Sequence, residues 1–85
     1  MDIYTTSRYA SPETRKFAKS LAEGGSAYLA RGKKTIEQLA QIARRRGGQC
    51  IFIIEEKAGK PAKIAEIRVL ETGDWNWAGE RACEQ

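Results

Sequence analysis

The sequence predicts an α/β domain: a mixed β-sheet of order 2-1-3-4, built from a strand–helix–strand–helix–strand–strand chain (βαβαββ), with one helix on each face. Two helix starts, at Ser11-Pro12-Glu13 and at Thr35 with Gln38, supply the first observation. The second is Cys50-Ile51-Phe52-Ile53-Ile54, an apolar run without alternation that reads as a strand buried on both faces in the middle of a sheet. The third is the alternation of Ala65, Ile67 and Val69 with Ile64, Glu66 and Arg68, which marks an antiparallel strand near an edge. With 85 residues, the chain has room for one small core.

Taken in order, Ile3-Tyr4-Thr5-Thr6 is rich in β-branched and aromatic residues and forms the first strand. Ser11 caps the first helix, Pro12 occupies its first position, and Glu13 lies in its first turn. Phe17, Ala18, Leu21 and Ala22 gather on one side of this helix and Arg15, Lys16 and Lys19 on the other, a basic face that reads first as solvated. Gly24-Gly25 closes it. Ala27-Tyr28-Leu29-Ala30 is a brief second strand. In the second helix Ile36, Leu39, Ala40 and Ala43 share a face, and Thr35 with Gln38 forms a capping box. Arg44-Arg45-Arg46 ends that helix, where cations offset the negative end of the dipole. Lys57 to Pro61 is a turn between the last two strands. Residues 1–72 form the domain on this reading. Residues 73–85 form a tail carrying Trp75 and Trp77, which share a side if extended and serve core cover, an interface or base stacking.

The third strand needs a neighbour on each side, so it is placed between the first and fourth strands. In the resulting order the crossovers travel in opposite directions and their helices lie on opposite faces. Ligands of such sheets favour the carboxyl ends of the parallel strands. The loops there, Ser7–Ala10, Arg31–Lys34 and Lys57–Lys60, carry Arg8, Arg31, Lys33, Lys34, Lys57 and Lys60 and no acid. Arg31-Gly32-Lys33-Lys34-Thr35 alone reads equally as an anion site at a helix N-terminus or as a solvated turn; the convergence of three basic loops favours the anion.

The net charge of +4 agrees with a polyanionic partner. A P-loop needs glycine at position 27 and Ser or Thr at 34, where Ala27 and Lys34 stand, and a dinucleotide fingerprint needs glycines that Ser7–Ser11 lacks. The chain has no histidine, and no nucleophile–base pair is evident, so a non-enzymatic protein without metal or cofactor is expected. Cys50 and Cys83 fit neither a disulfide framework nor a zinc site. No run reaches membrane-spanning length, and a cytoplasmic protein is expected. What survives is a polymer of phosphates met by separated cations, with Tyr9 available for stacking.

The same residues carry a resemblance. Thr5-Thr6-Ser7-Arg8, Ser11-Pro12-Glu13-Thr14-Arg15-Lys16-Phe17-Ala18, Arg31-Gly32-Lys33 before an Ala- and Leu-rich helix, and the Lys57–Pro61 turn together resemble the amino-terminal half of a Brix domain of archaeal type, over about residues 3 to 70. The resemblance implies a half-Brix, anticodon-binding-domain-like fold, with a second similar half missing here. It also implies binding of ribosomal RNA in rRNA processing or ribosome assembly, with Arg8, Arg15, Arg31 and Lys33 at matching positions. The expected RNA site is therefore Arg8, Arg31, Gly32, Lys33, Lys34, Lys57 and Lys60, with Arg15 as a lateral phosphate contact and Tyr9, Trp75 and Trp77 for stacking or an interface. Arg8 and Arg31 are expected to hold phosphate in a bidentate way. A homodimer, or pairing with a similar half, is expected to cover exposed sheet. The competing function is a protein-interaction module docking through the tryptophan tail and sheet edge.

Overall fold

Both helices begin where capping chemistry places them in the computed structural model, which describes residues 2–83. Helix α1 (Pro12–Leu21) is capped by Ser11, whose Oγ accepts from the Thr14 N–H. Helix α2 (Ile36–Arg45) has the reciprocal box: Thr35 Oγ1 accepts from Gln38 N at 3.2 Å and Gln38 Oε1 accepts from Thr35 N at 2.8 Å. At the other end of α2, Gly47 and Gly48 N–H groups bond back to the carbonyls of Arg44 and Ala43, closing the last turn.

The strands are β1 (Asp2–Thr6), β2 (Ala27–Tyr28), β3 (Cys50–Lys57), β4 (Lys60–Val69) and β5 (Trp75–Ala82), and they form one sheet of order β2-β1-β3-β4-β5. β1, β2 and β3 run parallel, with Ile3 opposite both Ala27 and Ile51; β4 and β5 run antiparallel. The 2-1-3-4 order is the one read from the sequence, and a fifth strand extends it. Residues 75–82, set apart in the sequence as a tail, pair along β4, so the edge position expected of β4 belongs to β5. The alternation in β4 has another cause: α2 buries its Ala65–Ile67–Val69 side, while α1 covers only part of the other.

The two helices lie on opposite faces. Leu39, Ala40 and Ala43 of α2 pack on Ile3, Ile51, Ile53, Ala65, Ile67 and Val69. Ala18 of α1 packs with Ile54 and Ile64, joined by the half-buried Tyr4, Phe17, Leu21, Tyr28 and Phe52. The run Cys50–Ile54 thus feeds both cores, odd positions to α2 and even ones to α1, as a doubly covered central strand must. Tyr4 and Phe52, neighbours across β1 and β3, stack with centroids 4.9 Å apart.

Lys57-Ala58-Gly59-Lys60 joins β3 to β4, and both central residues have positive φ, Ala58 at 55° and Gly59 at 78°. Two-residue hairpin turns with left-handed central residues match the strand twist, and Asn-Gly is the favoured pair. Alanine there carries a Cβ clash that asparagine tolerates better. Ala58→Asn should therefore stabilise the domain by ~1 kcal/mol, read as a rise of about 4–8 °C in Tm by calorimetry.

Candidate functional site

The carboxyl ends of β1, β2 and β3 lie at one edge, and two side chains bind the loops there to the sheet. The first is Arg31. Its Nε donates to the Lys34 carbonyl at 2.7 Å and its Nη1 to the Thr6 carbonyl at 3.0 Å, tying the turn before α2 to the end of β1. The turn itself is closed by Lys34 N–H on Arg31 O, with Gly32 left-handed at φ 52°. Burial lowers the Arg31 pKa, and the nearby Arg8 charge lowers it further. The two-pronged phosphate grip expected of Arg31 is thus partly committed to backbone.

The second is Glu56, which sequence reasoning passed over. Its carboxylate accepts from Thr14 Oγ1 at 2.6 Å and from Ser11 N at 3.1 Å, and Ser11 Oγ lies 2.9 Å from Oε2. These hydrogen bonds, that from Thr14 foremost, hold the Glu56 pKa below the ordinary glutamate range. A carboxylate at the N-terminus of α1 already satisfies the positive end of that helix. The edge is therefore not free of acids, and α1 offers no vacant anion site.

The remaining basic residues separate into groups. Tyr9, Arg15, Arg31, Gly32 and Lys33 line an open cleft of about 400 Å³ on the α1 side, with Thr6, Ala10 and Tyr28 in its walls. Arg15, Tyr28 and Ala30 continue into a second cleft, also lined by Lys16 and Lys19, with Lys19 Nζ 5.4 Å from the centre of the Tyr28 ring. One groove results, with five cations along it and no acidic residue among its described lining. Lys16 and Lys19 stand outside the expected site, since a basic helix face reads as solvated in sequence; the placement of β2 beside α1 turns that face into a wall.

Tyr9 overhangs this groove. The residue is 81% exposed, and its backbone is left-handed at φ 59°. An aromatic residue is uncommon in that region, and the exposed Tyr9 side chain takes no part in the core.

Other expected members lie elsewhere. Lys34 turns back, its Nζ donating to the Ala30 carbonyl at 3.0 Å. Lys57 and Lys60, at the β3–β4 turn, line neither cleft. Arg8 lines a different depression, on the α2 side, with Trp77. Trp75 is half-buried against the α2 core, whereas Trp77 is 59% exposed. Cys50 and Cys83 are free thiols, and the described residues include no cluster of three potential metal ligands. No helix among them is long and apolar enough to cross a membrane.

No family model matches the chain. Its sequence is, however, 38% identical over 81 residues to a probable Brix domain-containing ribosomal biogenesis protein of Thermococcus kodakarensis, covering 93% of this chain and 38% of that protein. The chain is a relative of the Brix-domain proteins. A second such protein, from Archaeoglobus fulgidus, is 44% identical over 63 residues, covering 73% of this chain and 38% of its own. The fold of these Brix relatives agrees. The crystal structure of a probable ribosomal biogenesis protein from Aeropyrum pernix K1 superposes with a TM-score of 0.89 at 30% identity, over 99% of this chain and 48% of the other. Mil, an archaeal Imp4-like protein, superposes at 0.76 and 30% identity, over 92% and 48%. The chain thus spans less than half the length of the Brix-domain relatives and solved structures it matches.

Because the Glu56 pKa is depressed in the folded state, its contribution to stability is complete above the unfolded glutamate value near ~4.3 and is lost as pH falls through the folded value. Glu56→Gln should lower Tm at neutral pH, and the gap from the native protein should close as the melting temperature is followed from about pH 5 downward. A gap constant down to the acid limb would show that the charge of Glu56 does not hold α1 to β3.

Proposed function

We propose that this chain is a non-catalytic RNA-binding module acting in ribosome assembly, and that single-stranded RNA lies in the groove between α1 and the β2 edge. The observation that carries this reading is the acid-free groove in which Arg15, Lys16, Lys19, Arg31 and Lys33 meet the exposed Tyr9. Separated cations follow a phosphate backbone, and an aromatic face beside them takes an unpaired base without regard to sequence. The ribosomal biogenesis names of the Brix-domain relatives support the setting, ribosomal RNA being the chemistry such a groove fits.

The side chains of Arg15 and Lys33 do not tie a loop to the sheet as Arg31 does, so they are the residues to change. Replacing both by alanine should weaken RNA binding and reduce the log–log salt slope by ~1.4, at about 0.7 per lost single-strand contact. Arg45→Ala with Arg46→Ala, at the far end of α2, is the control. Equal losses in site and control variants would remove the groove from the reading.

The partner we infer in protein terms is a second copy of this chain or a similar half. β5 is the last strand of the sheet, and its residues from Asn76 to Ala82 are exposed; an open edge of that length invites pairing. The relatives it matches are more than twice as long, which supports a similar half as the partner. Light scattering should return a mass near twice the monomer as concentration rises, and a monomer mass throughout would reject self-association.

A further inference from the structure

The depression on the α2 side of the same edge is not part of the groove. Its floor is apolar, from Ile36, Ile53 and Ala65, and Arg8, Glu55 and Trp77 stand around it. At about 270 Å³ it falls just under the roughly 300 Å³ at which pockets for drug-sized ligands begin. A single planar group is the better fit. Ser7 and Arg31 border both this depression and the groove, so the two sites adjoin across these residues.

Trp77 is held there by construction. The β4–β5 register slips between Glu66 and Ile67, so Ala78 is extra and Trp77 stays opposite Ile67, on the α2 side with Trp75. Trp75 anchors in the core, and its ring meets that of Trp77 edge-on at 5.6 Å. An indole so fixed, yet more than half exposed, is a preformed stacking surface. Glu55 lies opposite Lys63 on β4, its Oε2 3.7 Å from the Lys63 Nζ. An ionised carboxylate only accepts hydrogen bonds. Among unpaired bases, guanine presents two adjacent donors, N1–H and the 2-amino group, to such an acceptor; uracil flanks its one N–H with carbonyls. Arg8 lies close enough to Arg31 to be felt electrostatically, a like-charge pair that an anion relieves.

We propose that this pocket takes one unpaired guanine of the bound RNA, stacked on Trp77 with its Watson–Crick edge on Glu55 and its phosphate at Arg8. The proposal rests on the RNA-binding reading above and adds to it a base preference at one position. The strand would cross the sheet edge at Arg31, from the groove into the pocket.

The test compares uridine oligomers of about ten nucleotides, within single-strand site sizes, carrying a single central guanine, adenine or no substitution, by fluorescence anisotropy at fixed salt. The guanine oligomer should bind about tenfold more tightly than all-uridine. Glu55→Gln should erase that preference. Trp77→Ala should weaken the guanine oligomer by about tenfold and Trp77→Phe by less, since a phenyl ring still stacks. If Arg15→Ala with Lys33→Ala lowers affinity while no preference for guanine exists, or if the preference survives Trp77→Ala and Glu55→Gln, the pocket is wrongly assigned and the groove stands. If neither set affects RNA and Trp77→Ala instead lowers the mass seen in light scattering, both RNA readings fall and Trp77 is a protein contact.

Discussion

A strand that is apolar on both sides cannot leave either face in water, and the arrangement of this molecule follows from that constraint on β3. Ile51 and Ile53 require cover on one side and Ile54 on the other, so β3 takes a neighbour strand on each flank and a helix above and below. Two right-handed crossovers, β1 to β2 and β2 to β3, reach opposite faces only if they travel across the sheet in opposite directions. The same choice brings the ends of β1, β2 and β3, and the loops that follow them, to a single edge.

What the edge presents is then decided by a small number of polar anchors. Glu56 holds the start of α1 against the end of β3, and Arg31 holds the turn before α2 against the end of β1. Both bonds use a charged group on uncharged partners, stronger than a neutral pair. They divide the edge. On the α1 side remain cations without carboxylates; on the α2 side, cations beside a carboxylate and an indole. A basic patch judged by net charge alone would miss this difference, because a phosphate track and a base pocket need opposite local chemistry. On the readings proposed above, the first would tolerate no acid, whereas the second would use one to discriminate.

The structural match at a TM-score of 0.89 extends over nearly the whole chain, β5 included in the covered length, but over less than half of the solved protein. Among the described residues two helices cover the core, and β5 is the outermost strand of the sheet.

By itself the sequence determined the elements that rest on local or periodic chemistry: both capped helices, the central strand, the parallel order of the first three strands and the opposite placement of the helices. Side-chain spacing and backbone end groups suffice for these. It also brought Tyr9, Arg31, Gly32 and Lys33 to one edge, because loops at strand ends can be counted from the topology, while Arg15, inside α1, came with the family resemblance. Only the tertiary structure decided which of the charges are engaged. Glu56 lies 42 positions from Thr14 and Arg31 lies 25 from Thr6, so no local pattern announces their bonds. The fifth strand was hidden for a related reason. Trp75-Asn76-Trp77-Ala78-Gly79 lacks clean alternation because Ala78 bulges, and its pairing is specified by β4 rather than by its own residues. Lys16 and Lys19 became part of a groove only when β2 was laid beside α1. A charge has the same appearance in sequence whether it faces water, a carbonyl or an open cleft, and the difference lies in what the folded chain places opposite it.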